Sequence, residues 1–540
     1  MVQRNGYSYC CSHAGGCGRN RGPASNMRFI TLSSLLWPIL RHAVWSPRAI
    51  AVVDDHRTYS YGSLLGGAMH VAQHIDATAD VAHVGVMLPT SGAFPIALLG
   101  CWLSRRVAVP LNYLLAKDEL EYVIGDSDID TLITVGPMLD FLDHQDSAAA
   151  IPPSVRLLRL DQMDFTVPPD LRWPPWPDAE DLAVILYTSG TSGRPKGVML
   201  THGNLRADAE AAIEHAGITS ADGFLGVLPQ FHSFGLTALT LIPLRCGAKA
   251  IYTARFVPRK IVQLIKKHRP DIFMAVPSMY GALLSVKGLN PEDVSSLRLP
   301  ISGGEPLPDA VYEAYRDRLD LKILEGYGLT ETSPATHWST PAKNKRHSVG
   351  LALPGIRVTI VDETDQPLAP GEEGEICLSG PMIMAGYYKK PELTEQVMVE
   401  LERVTRPVGD TLQAGKHHRA FRTGDIGRVD EQGYLYITGR KKEMLIIGGE
   451  NVFPREIEEV LNRHRAVHDS AVIGKSDGMR GEIPVAFVEL EEEARFDEAE
   501  IRRYCRENLA QFKVPRQIQR IDQLPRNATG KILRRQLSMD

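Results

Sequence analysis

The sequence predicts an α/β protein with a large N-terminal domain of parallel sheets covered by helices, a small β subdomain, and a small α+β C-terminal domain. Three observations predict this class. The chain has 540 residues, whereas a single hydrophobic core stops growing at about 250–300 residues. Short apolar runs alternate with helix-like segments from Arg48 onward, and the pattern changes after Val349 and again after Arg440.

The first part of the chain alternates predicted strands with predicted helices. Short apolar runs predict buried strands over Val84–Leu88, Thr131–Val135, Leu182–Tyr187, Phe224–Leu228, Ala250–Tyr252 and Asp271–Val276. Helical spacing predicts helices over Asn204–Ala216 and Pro258–Lys267. Strands and helices in this order are typical of parallel sheets covered by helices, which bind ligands at the carboxyl ends of their strands.

The pattern of apolar residues changes in the part of the chain that follows Val349. Ile356, Val358 and Ile360 alternate with polar residues, a pattern that predicts a smaller antiparallel subdomain. The segment Arg403–Arg422 is polar and poorly patterned, and we expect it to be an exposed loop.

Beyond Arg440 a new unit begins. A helix is predicted over Arg455–Arg463, because Pro454 stands at its start and its apolar residues share one face. Short strands are predicted over Ser470–Ile473 and Val485–Leu490. These elements indicate an α+β domain of about 100 residues.

The domain boundaries follow from these changes. Residues 1–26 lack the apolar core of a signal peptide, and we expect a disordered extension with Met27 as a candidate start. The N-terminal domain is predicted over residues 27–439 and a C-terminal domain over residues 443–540, with residues 440–442 between them.

Composition excludes several classes of protein. Lys and Arg number 60 against 65 Asp and Glu, a net charge of −5, which gives no reason to expect a nucleic-acid partner. No run reaches the ~18–20 apolar residues that a membrane span needs, so at most peripheral membrane association is expected. The seven cysteines are odd in number and mostly scattered, which favours a reducing compartment and a cytoplasmic protein.

The strongest local motif is Tyr187-Thr-Ser-Gly-Thr-Ser-Gly-Arg-Pro-Lys-Gly197, directly after a predicted strand. Its glycines allow close approach of backbone to a ligand, and Lys196 supplies a positive charge. Hydroxyl donors come from Thr188 and Ser189 before Gly190, and from Thr191 and Ser192 between Gly190 and Gly193. Donors and a cation on a flexible turn suit a polyphosphate. A flexible surface loop explains the Gly and Ser residues, but not the dense hydroxyls beside Lys196.

This motif resembles the phosphate loop of the adenylate-forming superfamily, which includes acyl-CoA synthetases, luciferases and the adenylation domains of peptide synthetases. Further motifs of the family follow in its order between Pro47 and Leu537. They are Phe231-His-Ser-Phe-Gly235, Ser302-Gly-Gly-Glu-Pro306, Glu325-Gly-Tyr-Gly-Leu-Thr-Glu331, Gly374-Glu-Ile, Arg422-Thr-Gly-Asp425, Gly439-Arg-Lys-Lys442 and Asn527-Ala-Thr-Gly-Lys531. One motif is weak evidence, whereas an ordered set is specific.

The resemblance implies the residues of an ATP site. Glu331 corresponds to the Mg²⁺ ligand, a role that suits a carboxylate beside phosphates, and Thr330 to the residue that contacts the α-phosphate. Asp425 corresponds to the carboxylate that accepts the ribose hydroxyls. The adenine and nucleotide contacts are implied for Gly303, Gly304, Glu305, Tyr327, Gly328 and Arg440.

The resemblance also implies the residues of the chemical steps. Lys531 corresponds to the lysine that offsets negative charge as the acid attacks the α-phosphate. Lys442 corresponds to the hinge, predicted over residues 440–442, about which a mobile C-terminal lid domain over residues 443–540 turns between two orientations. His232 is implied to line the acyl pocket and to gate thiol access. An amino acid substrate is disfavoured, because His232 is not a fixed anion that pairs with an ammonium group. Gly448 and Gly449 are implied to line a pantetheine tunnel.

The motifs are closest in character to fatty-acyl-CoA synthetases. The expected reaction joins a carboxylic acid to coenzyme A through an acyl-adenylate, and it uses ATP and Mg²⁺. A fatty acid is favoured as the substrate because the expected acyl site is apolar, with Phe231, Phe234 and Leu236–Leu244. Two alternatives remain open. In the first, the thiol acceptor is the phosphopantetheine of an acyl carrier protein. In the second, the chain is a catalytically silent homologue that only binds a nucleotide. Intact Lys196, Glu331, Asp425 and Lys531 argue against the second.

Overall fold

Secondary structure runs through both predicted domains of the computed structural model. The model describes residues 34–145, 147–171, 174–188, 194–401, 418–447, 450–477, 481–492, 494–526 and 530–537. The predictions for residues 1–26, for Ser189, Gly190, Thr191, Ser192 and Gly193, and for Gly448 and Gly449 lie outside these residues.

The described strands alternate with helices in the first half of the chain. In chain order the strands are β1 (Ile50–Val53), β2 (Thr58–Ser60), β3 (His83–Val86), β4 (Val107–Pro110), β5 (Thr131–Thr134), β6 (Arg156–Arg159), β7 (Leu182–Thr188), β8 (Lys196–Thr201), β9 (Gly223–Gly226), β10 (Lys249–Tyr252), β11 (Ile272–Ala275), β12 (Leu299–Ser302), β13 (Leu324–Gly328), β14 (Ala335–Trp338), β15 (Leu351–Ala352), β16 (Arg357–Val361), β17 (Gly374–Ser379), β18 (Gly386–Tyr387), β19 (Met398–Leu401), β20 (His418–Val429), β21 (Leu435–Arg440), β22 (Leu445–Ile447), β23 (Glu450–Val452), β24 (Val467–Asp477), β25 (Gly481–Leu490) and β26 (Gln517–Arg520).

The helices cover the sheets. In chain order they are α1 (Trp37–Trp45), α2 (Tyr61–Thr78), α3 (Ala93–Leu103), α4 (Lys117–Asp126), α5 (Gly136–His144), α6 (His202–Ala216), α7 (Ile242–Cys246), α8 (Pro258–His268), α9 (Pro277–Leu284), α10 (Pro291–Val294), α11 (Asp309–Leu319), α12 (Pro391–Val397), α13 (Pro454–Leu461) and α14 (Glu498–Asn508), with a π-helix over Phe234–Leu241. Short 3₁₀ turns occur over Ala148–Ala150, Leu160–Gln162, Thr330–Thr332, Lys441–Glu443 and Arg534–Gln536.

Two large sheets with parallel centres form the body of the N-terminal domain. One has the strand order β15-β14-β13-β12-β11-β9-β10-β1-β2, and the other has the order β18-β8-β7-β4-β3-β5-β6. The central pairings are parallel, whereas β14, β15, β2, β8 and β18 pair antiparallel at the edges. This arrangement confirms the predicted fold class, and it brings the carboxyl ends of β11, β12 and β13 together at one edge.

The small β subdomain and the C-terminal domain each have a sheet of their own. The subdomain sheet has the order β16-β17-β20-β19 with β21 on β20, and the C-terminal sheet has the order β23-β22-β25-β24 with β26 on β25. One sequence prediction is wrong here. Residues 418–422 form the start of β20 instead of an exposed loop, since Ala420 and Phe421 are buried against β17 and β19.

The helix ends follow local sequence chemistry. Helix α6 begins after Thr201, whose hydroxyl accepts from the Asn204 amide in a capping box, and it ends at Gly217 in the left-handed region (φ 57°). Helix α13 begins with Pro454 and buries Ile457 and Leu461. Capping of this kind satisfies the backbone groups that a helix end leaves without partners.

The two domains have separate hydrophobic cores. The large core joins the strands and helices of both large sheets, whereas a second core packs α13 and α14 on the C-terminal sheet around Leu461, Val488 and Ile501. A separate core is what a unit needs to move as a body. No helix among the described residues is long and apolar enough to cross a membrane.

Candidate active site

A cavity of about 800 Å³ lies between the two domains. Side chains of the N-terminal domain line one wall, and side chains that follow β21 line the other. The cavity brings together seven of the residues predicted for the site, which are Gly304, Glu305, Tyr327, Gly328, Asp425, Arg440 and Lys531. Residues that are far apart in sequence thus face one space that is large enough for a nucleotide-sized ligand.

Tyr327, Asp425 and Arg440 form a hydrogen-bonded group at the cavity wall. The Tyr327 hydroxyl donates to Asp425 Oδ2 at 2.6 Å, and Arg440 Nε lies 3.2 Å from Asp425 Oδ1. Burial raises the pKa of the Asp425 carboxyl, although Arg440 and the Tyr327 hydroxyl act in the opposite direction. Each carboxylate oxygen keeps a second lone pair, so Asp425 is positioned to accept two hydroxyl donors of a ligand.

Backbone at two adjacent strand ends forms the neighbouring part of the cavity. Gly303, Gly304 and Glu305 follow β12, and Tyr327 and Gly328 end β13, which pairs parallel with β12. Gly304 has φ 85°, a conformation that favours glycine. Exposed peptide groups opposite an aromatic ring suit a flat heteroaromatic ligand.

Lys531 enters the cavity from the C-terminal domain. The residues on either side of it are held in place: Arg526 donates to the Gly530 carbonyl at 2.9 Å, and the Ile532 amide donates to Glu305 Oε1 of the N-terminal domain at 3.1 Å. Burial, and then the charge of Arg440, lower the pKa of Lys531. Burial raises the pKa of Glu305. This wall therefore holds a buried lysine whose charged form an anionic ligand would favour.

His232 lies on the bend that precedes the π-helix. Burial and the nearby charge of Lys531 lower the pKa of His232 to about 4, so its imidazole is neutral at neutral pH. The Phe234 amide donates to Nδ1 at 3.3 Å, which leaves the proton on Nε2. The next residue, Ser233, places its hydroxyl 3.2 Å from the Thr330 hydroxyl and thereby joins this bend to the 3₁₀ turn Thr330–Thr332.

Lys196 and Glu331 lie on either side of one tyrosine. Lys196 Nζ is 5.4 Å from the centroid of the Tyr387 ring, and the Tyr387 hydroxyl donates to Glu331 Oε1 at 2.8 Å. Thr188 and Lys196 are register partners at the end of the β7–β8 pair where the chain passes from one strand to the other. Burial, and then the charge of Lys442, lower the pKa of Lys196. Two lysines that approach each other in this way favour a polyanion between them.

The structure adds residues that sequence reasoning missed. Tyr387 holds Glu331 across 56 residues of chain, and Ser233 contacts Thr330 across 97. Asp126 accepts a hydrogen bond from the Tyr187 hydroxyl at 2.7 Å and thereby fixes the end of β7. The sequence signal that could have pointed to Tyr387 was its position directly after Gly386. In the structure Gly386 has φ 146°.

Comparison with known proteins identifies the family of this chain. The AMP-binding enzyme family matches residues 40–388, and the AMP-binding enzyme C-terminal domain matches residues 456–531. The long-chain-fatty-acid–CoA ligase of Bacillus subtilis is 34% identical over 500 residues, which cover 84% of this chain and 84% of that protein. The feruloyl-CoA synthase of an Amycolatopsis species is 33% identical over 510 residues, covering 92% and 97%.

A solved structure extends the comparison to three dimensions. The o-succinylbenzoate coenzyme A synthetase of Bacillus subtilis, in complex with ATP and magnesium ion, superposes with a TM-score of 0.79 at 28% identity, covering 93% of this chain and 98% of that one. The chain therefore belongs to the AMP-binding enzyme family, which is the adenylate-forming superfamily that the sequence motifs predict, and to its acyl-CoA synthetase type.

Proposed function

We propose that this enzyme activates a fatty acid as its acyl-adenylate and transfers the acyl group to coenzyme A. It is an AMP-forming acid–thiol ligase, so the acid and ATP give acyl-adenylate and pyrophosphate, and the thiol then releases AMP. The observation that carries the proposal is Lys531 of the C-terminal domain in the same cavity as Asp425 and Tyr327.

The apolar surroundings of His232 support a fatty acid. Phe231 is buried and meets the ring of Tyr113 edge-on at a centroid distance of 5.0 Å. The π-helix Phe234–Leu241 that follows is almost wholly buried. Such a wall favours an alkyl chain over a charged or amino-bearing acid. One relative carries the name of a long-chain fatty acid ligase, which supports the proposed acid, and another carries the name of a feruloyl-CoA synthase.

In the first half-reaction the carboxylate of the acid is itself the nucleophile. Its approach to a phosphate brings two anions together, and the chain contributes mainly electrostatic stabilisation. We assign this role to Lys531. His232 is neutral and contributes shape and a single Nε2 donor, and Thr330, held by Ser233, supplies a hydroxyl for the α-phosphate.

The residues present fit a magnesium ion. Mg²⁺ binds through one or two carboxylates together with substrate phosphates, and not in an all-protein cage. Glu331 has one oxygen bonded to Tyr387, and no hydrogen bond from another described residue occupies its second oxygen. Among the described residues there is no group of three or more metal-binding side chains. When bound, the ion neutralises charge on the phosphates.

The nucleotide contacts complete the proposed site. Asp425 accepts the ribose hydroxyls, Arg440 favours the charged form of that carboxyl against its burial, and Tyr327 faces the adenine against the Gly303–Glu305 backbone. Lys196 and the hydroxyl-rich segment after Thr188 bind the pyrophosphate that leaves.

We also propose that the C-terminal domain alternates between two orientations about residues 440–442. The separate cores support a boundary between residues 27–439 and 443–540. Lys442 lies on the 3₁₀ turn Lys441–Glu443, between β21 and β22. The other orientation would place the chain around Gly448 and Gly449 at a pantetheine tunnel. Lys442→Pro should slow one half-reaction at least tenfold more than the other, and equal loss in both would contradict the hinge.

A panel of acids tests the proposed substrate. The kcat/KM would be measured for saturated acids of increasing chain length and for ferulic acid, each with coenzyme A and with an acyl carrier protein as acceptor. The highest value for a long-chain acid with coenzyme A supports the proposal. A preference for ferulic acid would refute the fatty acid, turnover only with carrier protein would refute the acceptor, and no pyrophosphate release with any acid would refute the reaction.

A further inference from the structure

Two ion pairs join the C-terminal domain to the N-terminal domain, one among the residues that line the cavity and one outside it. The Arg463 guanidinium, just after α13, pairs with the carboxylate of Asp309. Arg535, four residues after Lys531, places Nη2 at 3.3 Å from Glu119 Oε1. Neither carboxylate belongs to the residues proposed for binding or catalysis.

The two pairs attach the C-terminal domain to different sheets. Asp309 begins α11, which connects β12 to β13 of the nine-stranded sheet, and Glu119 lies in α4, which connects β4 to β5 of the seven-stranded sheet. One contact leaves a domain free to rotate about it. Contacts at two separated points, together with the chain connection at residues 440–442, fix its orientation.

Both pairs can open without leaving a buried charge unpaired. Asp309 is also bound by Arg346, which pairs with Glu325 and lies over the ring of Tyr312. When Arg463 leaves, this carboxylate therefore keeps a cation. Glu119 is 32% exposed and Arg535 is 47% exposed, so water solvates them after separation. A buried charge left without a partner is strongly destabilising, and neither pair creates one.

We propose that Asp309–Arg463 and Glu119–Arg535 form a two-point latch that holds the C-terminal domain in the orientation that places Lys531 in the cavity. These four side chains are positioning residues for adenylation, and they have no part in thioester formation, for which the domain must turn away. The assignment to adenylation rests on the role proposed for Lys531. The mechanical part of the proposal is that the two ion pairs hold the domain in this orientation, and it does not depend on that role.

Hydrogen exchange tests the mechanical part without any substrate. The Ile532 amide donates to Glu305 across the interface, so its exchange with deuterium reports how often the domain leaves. An exposed ion pair shifts an equilibrium by up to about fivefold. Exchange in the peptide over residues 530–537 should be about five- to tenfold faster in the double variant Arg463→Gln/Arg535→Gln. Unchanged exchange would overturn the latch.

A matched control lies in the same domain. Arg465 Nη2 pairs with Glu500 at 2.7 Å within the C-terminal domain, so Arg465→Gln removes a comparable charge without touching the interface. It should leave exchange at residues 530–537 unchanged. Equal acceleration in this control would show a general effect of lost charge and would overturn the latch.

The half-reactions test the assignment to adenylation. Adenylation is measured as acid-dependent exchange of pyrophosphate into ATP, and thioester formation is measured from supplied acyl-adenylate and coenzyme A. The double variant should lose at least threefold in adenylation and stay within twofold in thioester formation. The charge exchange Glu119→Arg/Arg535→Glu should restore adenylation relative to Arg535→Glu alone. Equal loss in both half-reactions, or no rescue, would refute the positioning role.

The two readouts separate failure of the latch from failure of the proposed function. If the wild-type chain adenylates no acid, the proposed reaction fails, while the exchange rates still decide whether the ion pairs hold the domain. If adenylation occurs and exchange does not respond to the double variant, the proposed reaction stands and the latch is wrong.

Discussion

Tyr387→Phe removes the hydroxyl that donates to Glu331 Oε1 at 2.8 Å and leaves the ring in place beside Lys196. The carboxylate then loses the donor that orients it. If Glu331 holds Mg²⁺ against the phosphates, its free oxygen no longer has a fixed direction. Partners of metal-binding residues commonly contribute in this way.

The structure sets the size of the effect. A hydrogen bond to a charged group contributes about 1.5–3 kcal/mol, and loss of such a partner lowers metal affinity or activity by about 10–100-fold. Tyr387 is 5% exposed, but Glu331 is only half-buried, so water can replace part of the lost interaction. We therefore expect the affinity for Mg²⁺ to fall roughly tenfold, near the lower end of that range.

The assay is a Mg²⁺ titration of acid-dependent pyrophosphate exchange. Tyr387→Phe should raise the Mg²⁺ concentration for half-maximal rate by about tenfold. Tyr388→Phe is the matched control, because the neighbouring hydroxyl donates to Asp128 at 2.8 Å instead of to the site. An unchanged Mg²⁺ dependence in Tyr387→Phe, or an equal shift in both variants, would refute the proposed role of Glu331.

Three other substitutions test separate parts of the site and fold. Lys531→Ala should lower the rate of adenylation by at least about 100-fold, because that is the usual effect of removing a charge partner of the transition state. Thioester formation from supplied acyl-adenylate should persist, and parallel loss of both half-reactions would contradict the role of Lys531 in adenylation. Asp425→Asn should raise the KM for ATP about tenfold, because a charged acceptor is lost, and an unchanged KM in an ATP titration would contradict the ribose assignment. Burial lowers the pKa of His202 to about 4 from an ordinary 6.5, so its stabilising contribution is present above pH 6.5 and is lost as the pH falls toward 4. The advantage of wild type over His202→Phe in the free energy of unfolding by urea should therefore fall by about 2 kcal/mol between pH 7.5 and 5.0; a constant difference would refute this.

Local sequence was sufficient for most of the elements. The strands over Leu182–Thr188 and Ile272–Ala275 and the helix over His202–Ala216 appear within two residues of their predicted bounds, because each carries its own pattern of apolar residues and end signals. The start of β20 at residues 418–422 was wrongly predicted as loop. Its polar sequence has no strand pattern, and its strand state comes from pairing with β17 and β19.

The sequence by itself determined the chemistry of this protein, because motifs such as Tyr187–Gly197 and Arg422–Asp425 specify residue types at short spacing that only certain ligands require. The tertiary structure alone decided which of these groups meet. Tyr387 reaches Glu331, the Ile532 amide reaches Glu305 across 227 residues, and Arg535 reaches Glu119 across 416. Such contacts depend on the order of strands in the sheets and on the orientation of a separately folded domain. Neither leaves a periodic signal in the chain, since contacts between distant elements depend on how complete surfaces pack and not on the residues beside each position.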